Sequence, residues 1–140
     1  MNLTLNTIEA NLPNGFHDAL IKRISVDYAE RKIVISIAIL TGVPDAATEQ
    51  ERESYADAIL TVSDFLFCVI QPPDTQYAFK LDGPLSVDSG SGNPEGVAFL
   101  ENIPPDAFVH WFFVNEWNSF IYIAAREAHL EMKAESRDSL

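Results

Sequence analysis

The chain has a single cysteine, Cys68, in 140 residues, so no intrachain disulfide can form, which suits a reducing compartment. Basic side chains are also scarce: 9 Lys and Arg face 21 Asp and Glu, for a formal net charge of −12. Nucleic-acid binders neutralise phosphates with a basic stripe and gain affinity from counterion release. The basic residues here (Lys22, Arg23, Arg31, Lys32, Arg52, Lys80, Arg126, Lys133, Arg137) never cluster beyond pairs. The sequence therefore predicts no nucleic-acid partner, and the same sign argument disfavours an anionic membrane surface. No uninterrupted apolar run is longer than the six residues Phe65 to Ile70. A spanning helix needs roughly 20 such residues. The start, Met1 to Asn6, lacks the positive flank and apolar run of a secretory signal, and the chain is read as cytoplasmic.

Motifs that carry cofactor chemistry are missing as well. There is no His-Glu-x-x-His, no His pair at helical spacing, and no Gly-x-Ser-x-Gly elbow. The glycines from Gly90 to Gly96 are not followed by the Lys-Ser or Lys-Thr of a phosphate loop, and the acids around Asp88 lack calcium-loop spacing. Cys68, between Phe67 and Val69, reads as a small hydrophobe rather than a nucleophile. The sequence predicts no metal and no cofactor.

What the chain does contain is alternation. From Leu20 to Tyr28, Leu20, Ile24, Val26 and Tyr28 fall on one side, with Lys22 as the exception. After the polar break Ala29-Glu30-Arg31, the residues Ile33, Ile35, Ile37 and Ile39 alternate strictly. Period two means opposite faces of a strand, β-branched residues favour the extended backbone, and a short connection favours antiparallel pairing. Thr41 to Arg52 reads as an acidic loop. A third strand runs from Tyr55 to Ile70, bent near Ser63-Asp64 where the alternation breaks, and Pro72-Pro73 ends it. Gln76 to Asp82 alternates again. The stretch 83–106 holds four prolines and four glycines and reads as irregular, its centre from Asp88 to Gly96 as flexible. A helix is expected to start at Pro104-Pro105-Asp106, because proline suits a first turn. Phe108 to Val114 and Ser119 to Ala125, joined by Asn115 to Asn118, form a second hairpin. From Ala125 to Glu135, good helix formers compete with alternation carried over from the preceding aromatic and β-branched residues, and the strand is favoured.

The fold expected is a mainly β (β-rich α+β) single domain over 1–135, a twisted antiparallel sheet or open barrel of six or seven strands with one short helix, followed by a frayed tail at 136–140.

Seven of the fifteen aromatic residues lie between Phe108 and Tyr122. Alternation sends Phe112 and Phe113 to opposite faces, so the sheet is either covered twice or exposes a patch. The function favoured is a small, acidic, non-enzymatic protein–protein interaction domain. It self-associates as a homodimer through Trp111, Phe113, Trp117 and Tyr122, and a basic protein partner, met in an immunity or inhibitor role, is the lesser variant. The competing class is a small-ligand binder or enzyme with a pocket between the sheet and the 83–106 loop, its catalytic candidates being His17, Asp18, Asn115 and Glu116. Convergence of those four side chains at a concave site separates the two classes.

Overall fold

The computed structural model describes residues 3–43, 45–77, 83–92 and 96–133. Six strands, β1 (Ala19–Asp27), β2 (Lys32–Leu40), β3 (Tyr55–Ile70), β4 (Leu85–Ser91), β5 (Phe108–Val114) and β6 (Ser119–Met132), form a closed barrel in the order β1-β2-β3-β6-β5-β4. Every pairing is antiparallel. The mainly-β expectation holds, with the barrel closed rather than open. Closure depends on a seam of three pairs, Ala19↔Val87, Leu20↔Ser86 and Ile21↔Leu85.

A barrel of six strands is too narrow for a lumen, so side chains fill it. Ile33, Ile35, Ile37 and Ile39 of β2 meet Leu60, Val62, Phe65, Phe112, Ile121 and Ile123 in this core. Lys22, the exception in the first alternation, marks a β-bulge. The β1–β2 register shifts between Ile21 and Arg23, so the inward set changes from Ala19 and Ile21 to Ile24 and Val26. Leu20 therefore does not share the face of Ile24 and Val26, and the freed Lys22 side chain bonds the Asp57 carboxylate at 2.8 Å. The bend expected in β3 is also present. Asp64 has φ of 51°, and the register shifts between Phe65 and Phe67. Arg31, in the β1–β2 turn, donates to the Phe65 carbonyl and lays its guanidinium over the Phe65 ring.

A helix that sequence alternation did not indicate, α1 (Leu5–Ala10), capped by the Thr4 hydroxyl, packs against β5 and β6. Its Leu5 and Ile8, with Phe16 from the following turns, are buried in the core. The region 41–52 is not wholly loop: Thr48 caps a short α2 (Glu49–Arg52). The region 83–106 departs most from expectation. Its described residues contain β4 and a 3-10 turn, Ala98–Leu100. Residues Asp88 to Ser91 are thus strand rather than flexible loop. At 104–107 a turn closed by Ala107 N–H donating to the Pro104 carbonyl replaces the expected helix start. β6 runs to Met132, as the alternation favoured. The alternating segment at 76–82 beyond Tyr77, and the tail at 136–140, lie outside the described residues.

Candidate functional site

The β5–β6 hairpin divides its rings between two faces. Phe108, Phe112 and Val114 point into the barrel with Ile121 and Ile123. Val109, Trp111, Phe120, Tyr122 and Ala124 point outward and form a second cluster with Leu66, Phe67 and Val69 of β3. Residues 97–103 run over part of this outer face as a strap, with Val97, Leu100 and Ile103 packed on it. Leu100 is fully buried there, so this part of the 83–106 stretch packs directly on the sheet.

Beyond the strap the rings continue as a ridge. Trp111 meets Phe120 edge-on at 5.6 Å between centroids, Phe113 meets Phe120 at 5.2 Å, and Phe120 stacks on Tyr122 at 5.5 Å. Such pairs contribute about 0.5–1.5 kcal/mol each beyond area burial. Trp111, Phe113 and Phe120 all stay part-exposed. The Trp111 ring lies against the backbone of Gly90, where a Cβ would come within 2.3 Å of it, so only glycine admits this approach.

The four expected interface residues therefore separate. Trp111 and Phe113 are on the ridge. Tyr122 is only 3% exposed, lying beneath Phe99, and burial raises its hydroxyl pKa. Trp117 instead packs against the barrel core from the β5–β6 turn. Two rings on this face were not expected from the sequence: Phe120 of the ridge, whose register partner is Phe113, and Phe99 of the strap, 40% exposed. Strand alternation could have found Phe120, because it shares the parity of Tyr122 on β6. Phe99 carried no signal, since its neighbours read as irregular.

The four catalytic candidates arrive at β4 as two pairs. The His17 ring contacts the Asp88 carboxylate through Nδ1 and the Asp18 carboxylate through Nε2, the latter at 3.3 Å. The Asn115 amide donates to the Ser86 carbonyl, and Glu116 accepts from the Ser86 N–H at 2.9 Å and from its hydroxyl at 2.6 Å. Asn115 and Glu116 thus pin the start of β4 to the β5–β6 turn. His17, Asp18 and Asp88 hold one donor atom each within 4.8 Å of one another, and among the described residues this is the one such trio able to close on a metal ion. All three side chains are substantially open to solvent.

The cluster and the ridge are neighbours. Asp88 is the direct register partner of Phe113, and Phe113 is that of Phe120. Directly opposed residues share a face. The outer surface therefore reads, strand to strand, carboxylate, ring, ring, with His17 and Asp18 flanking the carboxylate end.

A separate titratable group lies inside. His110 is fully buried among Phe16 and Phe112, and its Nδ1 pairs with the Asn6 side-chain oxygen of α1 at 3.2 Å. Its Nε2 has no hydrogen-bond partner among the described residues. Burial pushes its pKa down to about 4, so at neutral pH it is an uncharged core residue. Burial also pushes the Cys68 thiol up to about 11, which leaves the nucleophilic thiolate rare. No helix among the described residues is long and apolar enough to cross a membrane.

Compared with family models, curated proteins and solved structures, the chain matches none.

Proposed function

We propose that this chain is a non-enzymatic protein-interaction domain that docks its partner on the outer face of β4, β5 and β6. The observation that carries this reading is the ridge of Trp111, Phe113 and Phe120, packed ring to ring and left part-exposed beyond the strap. Rigid aromatic side chains on a sheet offer a large apolar area with little entropy left to lose, which is the chemistry of interface anchors. The polar candidates support the same reading. Asn115 and Glu116 spend hydrogen bonds on Ser86, fixing the sheet that presents the ridge. The lone cysteine and acidic composition support a cytoplasmic setting.

The test uses the full chain as bait for a displayed library of short peptides. Selected peptides are expected to lose at least tenfold in affinity for Phe113→Ser and for Phe120→Ser, in variants that still unfold cooperatively and lose less stability than Phe112→Ala. Peptides that bind both variants as well as wild type would remove the ridge from function. The homodimer expected from the sequence would place two copies ridge to ridge, and native mass at micromolar concentration reads that outcome directly.

A further inference from the structure

The ridge has a charged border, and the border specifies a partner. Resting on the proposed docking function, we infer that the partner is a protein segment carrying an Arg or Lys two residues from an apolar side chain, with the cation on the solvent-exposed sides of the Asp18 and Asp88 carboxylates that flank His17, and the apolar group on Phe113 and Phe120.

Three observations support this. The first is position: Asp88 stands directly across the strand pair from Phe113, so one approaching segment meets the carboxylate and the ring together. Side chains two residues apart on an extended segment fall on one face about 7 Å apart, which spans neighbouring strands at roughly 4.8 Å and a little more. The second is charge. The chain carries −12, and Asp18 and Asp88 bring two carboxylates to one imidazole, His17, at this corner. Three of the chain's own cations are engaged elsewhere: Lys22 on Asp57, Arg126 on Asp106, and Arg31 on the Phe65 carbonyl and ring. His17 contacts both carboxylates, yet Asp18 and Asp88 keep 51% and 40% of their side chains exposed, open to an incoming cation. The third is ring chemistry. A guanidinium or ammonium beside a carboxylate and against an aromatic face gains a charge-assisted hydrogen bond and a cation–π contact at once. A second copy of this chain is the poorer occupant, because two bodies of −12 repel at the distances where docking begins.

The peptides selected on the wild-type chain provide the test. They are expected to be enriched in Arg or Lys two positions from an aromatic or branched aliphatic residue. Asp88→Asn, an isosteric change, is expected to weaken them at least tenfold. Glu30→Gln, in the turn at the far end of β1 from Asp18, alters net charge by the same amount and is expected to change affinity less than twofold. Asp18→Asn supplies a second variant should Asp88→Asn fail to fold. Equal weakening by Asp88→Asn and Glu30→Gln would reduce the effect to bulk charge and overturn the inference. Peptides that need Phe113 but contain no basic residue and ignore Asp88→Asn would overturn the cationic partner while leaving the docking function intact. Peptides indifferent to Phe113 as well would remove both.

Discussion

Phe112 and Phe113 are consecutive residues with opposite environments. Phe112 is 0% exposed and sits in the barrel core against Phe16 and His110, whereas Phe113 stays part-exposed on the ridge against Phe120. The chemistry of the two side chains is the same; only strand parity differs. Inside, a six-stranded barrel has no room to spare and each ring is a packing element. Outside, the strap packs into a cluster with Val109, Tyr122, Ala124 and one side of Trp111, while Trp111 and Phe113 stay part-exposed. One hairpin thus serves the fold with one face and, as proposed, a partner with the other.

The comparison can be broken at either residue. The largest effect is expected on the inner side: Phe112→Ala should cost about 3–5 kcal/mol in chemical denaturation, as for large aromatic truncations in filled cores. A cost below about 1 kcal/mol would mean that the interior is loosely packed.

Acid should also attack the inner side. His110 is neutral in the folded state, with its pKa depressed to about 4 from an ordinary value of 6.5. Stability from keeping it neutral is fully present above pH 6.5 and is lost as pH falls through about 4, because the unfolded chain takes up the proton first. The loss is on the order of 3 kcal/mol across that window. His110→Leu is expected to flatten this part of the stability–pH curve, whatever it does to the plateau. An unchanged slope in that variant would assign the acid sensitivity to carboxylates instead.

A smaller effect is expected where ridge and barrel meet. Gly90→Ala places a methyl against the Trp111 ring, and overpacking of this kind typically costs about 1–3 kcal/mol. Indole emission should shift as the ring is pushed outward. Neither a loss of stability nor a change in emission would mean that the ring does not rest on Gly90.

Much of the barrel was legible from alternation alone: β2, β3, the β5–β6 hairpin and the run of β6 to Met132 are where period two placed them. The failures have local physical causes. Lys22 looked like an exception because a bulge changes strand parity there, and a pattern read with a fixed period cannot show the slip. β4 was invisible because neighbours supply what its own sequence lacks. Gly90 leaves room for the Trp111 ring, and the Ser89 hydroxyl donates to Glu9 of α1, so a small, polar stretch still pairs as a strand. α1 has only Leu5 and Ile8 to anchor it, too few to register as a periodic face. For the candidate site, His17 and Asp18 were legible as a polar pair, but their partner Asp88 lies 71 positions away from His17. Only closure of β4 on β1 brings it there, and closure is a long-range event that composition and spacing do not encode.

The most direct measurement pairs Phe113→Ser with wild type, recording melting temperature and affinity for the peptides selected on the wild-type chain. A docking ridge predicts a stability cost of about 1–2 kcal/mol, from a part-exposed ring and its pairing with Phe120, well below that of Phe112→Ala, together with an affinity loss of tenfold or more. A variant that keeps full affinity, or one that unfolds as Phe112→Ala is expected to, would show that the ridge belongs to the architecture and not to a partner.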